Sequence, residues 1–194
     1  MSKSDPSSPK KERNKAIRWV VTIFLSTILI TSIISLASEE IMSVSAMPVA
    51  FAILLVIIFV GILFDIIGVA VTSADEKPFH SMAARKVPGA LESIRLLRNA
   101  EKVGSICNDV VGDICGVISG SASATIAAQV LQNFEFSWPR LVTLAMSALV
   151  AGLTVGGKAV GKGIAINSCT KIVHLVGLTI HRLQSIPMIF KKKK

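Results

Sequence analysis

The chain has 194 residues, 52% of them hydrophobic, with a mean hydropathy of +0.65, which excludes an ordinary soluble domain and leaves room for a few membrane spans. Its formal net charge is +9, yet Tyr is absent and only two Trp occur, so the aromatic platform on which single-stranded nucleic acid stacks is missing. The basic residues read instead as topology signals and lipid-headgroup contacts, and nucleic acid is not expected as a partner.

Residues 1–15, MSKSDPSSPKKERNK, are polar and rich in Ser, Pro and Lys, the composition of a disordered tail. Residues 16–37, AIRWVVTIFLSTILITSIISLA, form an apolar run longer than the core of a signal peptide, and no clean A-x-A site follows. They are expected to be a retained N-terminal transmembrane helix. After the acidic loop SEEIMSVSAMP, residues 49–72, VAFAILLVIIFVGILFDIIGVAVT, are long enough to cross a hydrocarbon core of about 30 Å.

The character changes over residues 73–103. Leu91, Ile94 and Leu97 recur at helical spacing, with Arg95, Arg98 and Lys102 on another side and a break at Pro88-Gly89. That pattern predicts amphipathic juxtamembrane helices over 76–103. A third span is expected over 104–131, starting in CNDVVGDIC. Pro139 suits a first helical turn, and a fourth span is expected over 140–155. The segment GGKAVGKGIAINS then leads to a second amphipathic helix at 168–184 and a basic tail, 186–194, that ends in KKKK.

The N-terminal segment through Arg18 carries six Lys and Arg, the 73–103 segment six and the region from Lys158 onward eight, while Arg140 stands alone on the other side. The positive-inside rule therefore puts both termini in the cytoplasm, with four crossings of the cytoplasmic membrane.

Cys107 and Cys115 would lie about 12 Å apart along one helix, too far for a disulfide. With Cys169 they read as small packing residues. His80, His174 and His181 are spread over surface segments, and no Gly-rich phosphate loop, nucleophile elbow or zinc signature occurs, so the sequence offers no enzyme reading. Gly112, Gly116 and Gly120, continued by Ala124 and Ala128, make a small-residue ridge, echoed by Gly152/Gly156 and Gly157/Gly161. Such ridges let helix backbones approach closely in a compact bundle or a homodimer.

Asp65, Asp109 and Asp113 lie within or beside the spans. A charged side chain at the bilayer centre costs about 2.5–3.5 kcal/mol on insertion scales, so these acids should face protein or water. Spacing puts Gly61, Asp65, Gly68 and Thr72 on one helix face, and Ser105, Asp109, Gly112, Asp113 and Gly116 on another. Three readings stand open. Opposed faces form an oxygen-rich recess in the cytoplasmic half that takes a hard cation, completed by Asn108, Ser105 or a backbone carbonyl. Alternatively, Asp109 and Asp113 complement a helix dipole while Asp65 pairs with Lys158 or a loop Arg. The third reading is a proton relay.

The order of parts resembles the transmembrane domain of the CNNM/CorC/CorB family of magnesium and cobalt transport proteins, over about residues 50–185. The first landmark resembles FDIIGVAVTSAD, the basic hairpin FHSMAARKVPGALESIRLLRNAEKV, the second landmark CNDVVGDIC, and the third, a GE-x-x-PK-like turn, GKAVGK. The chemistry departs where Ile67-Gly68 stands for Ser-Glu, Lys158 for Glu and Gly161 for Pro. The resemblance implies a homodimer, with the family-like domain over 46–185 and the 16–37 helix extra to it. It implies a Mg²⁺ site, with Co²⁺ or Mn²⁺ as alternatives, carried by Asp65, Asn108, Asp109, Gly112 and Asp113. Paired CBS domains commonly follow in the family, so any nucleotide regulation is expected from a separate cytoplasmic subunit.

The expectation is thus an all-α integral membrane protein of about four transmembrane helices plus amphipathic juxtamembrane helices. Its expected role is divalent-cation transport or binding through Asp65, Asn108, Asp109, Asp113, Ser105 and Gly112. The rival is a non-transporting accessory or regulatory protein that keeps the scaffold.

Overall fold

The computed structural model describes residues 9–134 and 138–191. It is an all-α, multi-pass membrane protein, with no strand among the described residues. The helices are α1 (Pro9–Val44), α2 (Met47–Ser73), α3 (Lys77–Ala84), α4 (Ala90–Arg98), α5 (Ala100–Ser105), α6 (Gly112–Asn133), α7 (Pro139–Asn167) and α8 (Cys169–Lys191). A π-helical turn, Ile106–Val111, joins α5 to α6 without a break. Four stretches are long and apolar enough to cross a bilayer: Ile17–Met42, Met47–Ser73, Ala100–Asn133 and Pro139–Asn167.

Several boundaries differ from the sequence reading. Helix α1 already begins at Pro9, so residues 9–15 of the expected disordered tail are helical; Pro suits a first turn, and the Lys, Glu and Arg that follow are good helix formers. Residues 1–8 of that tail lie outside the described residues. The acidic loop after residue 37 is helix as far as Val44.

The largest difference is in α7. It runs on to Asn167 through the segment read as a tail, and GKAVGK is continuous helix instead of a turn. Gly161 stands where a Pro would have broken the backbone. Gly157 and Gly161 are also held against α2: a Cβ on Gly157 would collide with Ile62, and one on Gly161 would lie 2.8 Å from Ile66. Packing of this kind outweighs the low helix propensity of glycine. Helix α8 likewise continues to Lys191, so residues 186–191 of the expected basic tail are helical, and 192–194 lie outside the described residues.

Helix α2 is the hub. At its N-terminal end Ala50, Leu54 and Ile58 pack with Ala122, Ile126, Val150 and Met42 in one buried apolar cluster. At its other end Ala70 and Val71 join Phe79, Ile94, Ala165 and Val173 in a second. Asp65 lies between the two.

Helix α1 is held lightly: in its apolar stretch no residue before Met42 is buried within the chain. Its anchors are the Met42 carbonyl, which accepts a hydrogen bond from Gln129 Nε2 at 2.8 Å, and Trp19, over which Lys102 Nζ sits 6.0 Å from the ring centre.

Outside the spans, α4 and α8 clasp each other. Gly89 has φ +83°, a left-handed conformation that favours glycine, and a Cβ there would meet the α8 backbone at Leu178 N, 2.5 Å away. Buried Ser93 donates to the Gly89 and Val173 carbonyls at 2.9 and 3.2 Å. His174 Nε2 reaches the Pro88 carbonyl at 3.2 Å, and His181 Nδ1 reaches Glu92 Oε1 at 3.1 Å. Burial works to raise the Glu92 carboxyl, but the His181 and backbone hydrogen bonds, with the charges of His181 and Arg95, prevail and hold it below its ordinary value.

Candidate ion-binding recess

The seam between α2 and the α5–π–α6 stretch is built from small residues on alternate sides. Gly61 faces Cys115, Gly68 faces Asn108 and Thr72 faces Gly104, in antiparallel steps of seven and four on both helices. A Cβ on Gly61 would lie 2.9 Å from Cys115 Cβ, and one on Gly104 would lie 2.7 Å from Thr72 Cγ2. At Gly68 the notch is filled by the Asn108 side chain, and a methyl there would collide with its amide oxygen. Asn108 belongs to the π turn, a feature that recurs at functional sites because it breaks the i to i+4 pattern and redirects side chains.

One turn before Gly68 on α2 is Asp65, only 5% exposed. Its Oδ1 lies 3.9 Å from Lys158 Nζ of α7. Charges at this separation attract by about 4 kcal/mol at an effective dielectric constant of about 20. The distance exceeds that of a direct hydrogen bond, so the contact is electrostatic and leaves hydrogen-bonding capacity on both groups. Gly112, buried, makes room for the ammonium: a Cβ there would stand 3.2 Å from Lys158 Nζ.

Two oxygens of this recess, Asp65 Oδ2 and Asn108 Oδ1, are buried and accept no hydrogen bond from the described residues. Buried polar atoms without partners are uncommon and costly, and they mark places where an ion or water belongs. Among the described residues no three His, Cys, Asp or Glu side chains converge. A cation in this recess would therefore rest on one carboxylate, one amide oxygen, backbone carbonyls and water, a donor set that suits a hard ion which keeps part of its hydration.

The structure thus brings together Asp65, Asn108 and Gly112, and it adds Lys158, which the sequence reading held only as one possible partner of Asp65. It does not bring in the other acids. Asp109 and Asp113 are exposed, and Ser105, next to Gly104, is half-buried. The single face expected for Ser105, Asp109, Gly112, Asp113 and Gly116 is divided, because the π turn intervenes and Gly112, first after it, turns inward.

On the open side of α6, a groove of about 210 Å³ runs against α7, lined by Gly116, Ser119, Gly120, Ser147, Ala151 and Thr154 among others. Asp113 precedes Gly116 by one turn, and Thr154 precedes Lys158 by one turn, so the groove leads toward the recess.

Fold and recess together define a helical, multi-pass membrane protein with a buried carboxylate and a half-buried ammonium paired among its spans. Comparison with protein-family models, with curated proteins and with solved structures finds no match.

Proposed function

We propose that the protein binds a divalent cation, Mg²⁺ ahead of Co²⁺ or Mn²⁺, in the recess of Asp65, Asn108 and Gly112, and moves it across the cytoplasmic membrane. The observation that carries this reading is that two buried oxygens of the recess, Asp65 Oδ2 and Asn108 Oδ1, the latter seated in the Gly68 notch one turn along α2 from Asp65, have no hydrogen-bond partner among the described residues. The resemblance to the CNNM/CorC/CorB transmembrane domain supports the choice of ion and a homodimeric assembly, and the Lys and Arg distribution supports cytoplasmic termini. Exposed Asp113, one turn before Gly116 of the α6–α7 groove, concentrates cations there, and exposed Asp109 adds negative charge four positions earlier. Transport then requires the recess to open in turn to each side of the membrane.

The test is the thermal midpoint of the detergent-purified protein against Mg²⁺ concentration, with Ca²⁺ as control. A ligand that binds only the folded state raises the midpoint with concentration. A Mg²⁺-specific rise that Asp65→Asn and Asn108→Ala abolish supports the site and justifies flux assays in liposomes.

A second reading is favoured by one specific observation, the Lys158 ammonium that already compensates Asp65. On this reading the protein is a non-transporting accessory or regulatory subunit whose basic helices α3, α4 and α8 contact lipid or a separate cytoplasmic partner. No midpoint shift up to tens of millimolar Mg²⁺ would select it.

A further inference from the structure

A lysine near the end of a membrane span ordinarily runs its stem along the helix and leaves its ammonium at the water interface. Lys158 does otherwise. Its side chain is 23% exposed, and its head is turned between α2 and α6, 3.9 Å from Asp65 Oδ1 and 3.2 Å from where a Cβ of Gly112 would stand. Cys115 lies opposite Gly61 on the same seam. A side chain at position 112 would press on the ammonium, so the glycine leaves room for this pose.

The recess therefore holds one carboxylate, one tethered ammonium and one amide oxygen, and neither Asp65 Oδ2 nor Asn108 Oδ1 has a hydrogen-bond partner among the described residues. Its net charge is already zero. A divalent ion added while the ammonium stays would set three positive charges against a single carboxylate in a space shielded from water, where like charges repel strongly. The same ion added after the ammonium leaves finds Asp65 and Asn108 ready to accept it.

We propose that Lys158 is the resident counter-cation of the Asp65 recess, and that a free cation enters only by exchange with its ammonium group. The inference rests on the cation-binding reading above. The ammonium withdraws toward the α6–α7 groove, whose wall residue Thr154 lies one turn before it on α7. Lys158 then decides how tightly the recess holds its ion, and it keeps Asp65 compensated whenever no ion is bound.

The test uses the full chain in detergent, with Mg²⁺ as the ligand and two readouts. In the first, Mg²⁺ is titrated against wild type, Lys158→Met and Lys158→Arg, and affinity is read from the concentration dependence of the thermal midpoint. Removing the tethered charge should tighten binding at least tenfold. Arginine, which keeps the charge and grips a carboxylate with two N–H groups, should weaken it severalfold. In the second, Lys158 is acylated with a water-soluble amine reagent and its modification is read by mass spectrometry. Saturating Mg²⁺ should raise labelling at least threefold in wild type and leave it unchanged in Asp65→Asn.

Binding by Lys158→Met alone supports the exchange in its strongest form. If Lys158→Met does not fold, the arginine variant and the labelling still decide. Mg²⁺ that binds wild type through Asp65 while Lys158 labelling and the affinity of Lys158→Arg stay unchanged overturns the exchange and leaves the cation site standing. No response to Mg²⁺ in wild type or Lys158→Met overturns both.

Discussion

Asp65 and Asp113 are single carboxylates on helices long enough to cross a bilayer, yet their surroundings are opposite. Asp65 is 5% exposed, faces an ammonium and keeps one oxygen with no hydrogen bond from the described residues. Asp113 is exposed, and the glycines that continue its ridge, Gly116 and Gly120, have nothing within 4 Å of an added Cβ. Sequence context does not separate the two, since each acid has a glycine within a turn and apolar neighbours. What separates them is which helix lies opposite. The Asp65 side of α2 packs against α7 at Lys158 and against Asn108 at Gly68, whereas the Asp113 side of α6 is exposed.

The largest test of this contrast is to remove one charge of the buried pair. Asp65→Leu leaves Lys158 without its partner, and loss of one member of a buried ion pair typically costs 3–5 kcal/mol, the lower end of about 3 kcal/mol suiting a lysine that keeps some exposure. A drop of that size in unfolding free energy or its equivalent in thermal midpoint is expected. Adding Lys158→Met to Asp65→Leu should recover most of it, because the double variant leaves no uncompensated charge. Independent, additive losses would show that the pair is not the unit described.

Next in size is the notch. Gly68→Ala sets a methyl against the Asn108 amide, and overpacking of this kind costs about 1–3 kcal/mol. The same variant should also weaken any Mg²⁺ response, because Asn108 has to move. Combining it with Asn108→Ala should restore stability but not the response.

Glu92 and His181 provide an intermediate case, an ion pair outside the spans with side chains 12% and 44% exposed. Glu92→Gln should cost under about 1 kcal/mol at neutral pH. Because the folded state holds the Glu92 carboxyl below its ordinary value, its contribution is present above the unfolded-state pKa and is lost as pH falls through the folded one. The stability difference between wild type and Glu92→Gln should therefore shrink and vanish as the pH is taken down into acid. A difference that grew on acidification would contradict the assignment.

The smallest effects belong to the exposed ridge. Asp113→Asn and Gly116→Ala should each change monomer stability by no more than about 0.5 kcal/mol. A substantially larger loss at Gly116 would mean that another helix covers the ridge in the assembled protein and that the ridge is no longer open.

Much of the architecture was legible from composition and periodicity. Four apolar stretches lie between 16 and 155, each matching one of the membrane-length helices, and the i, i+3, i+6 recurrence of Leu91, Ile94 and Leu97 marks the amphipathic α4. Membrane spans announce themselves because lipid imposes one simple requirement of length and apolarity on each segment by itself. The boundaries were less legible. The Gly156-Gly157 doublet and the Lys-containing GKAVGK look like the end of a helix, and they continue it only because Ile62 and Ile66 of α2 press into the gaps that those glycines leave.

The recess shows the same division. That Asp65, Asn108 and Gly112 are unusual in membrane spans follows from the cost of charge and polarity in lipid, a property of each residue type. That Asn108 seats in the Gly68 notch while Asp109 next to it is exposed depends on the π turn and on the antiparallel register of α2 against α6. That Lys158 lies at Asp65, 93 positions earlier, depends on α7 staying helical past its glycines and running beside α2. The sequence by itself determined a helical membrane protein whose intramembrane acids must face protein or water. Only the tertiary structure decided which of those groups meet, because a meeting between helices is fixed by register and side-chain volume across the interface, and neither is a property of any one segment.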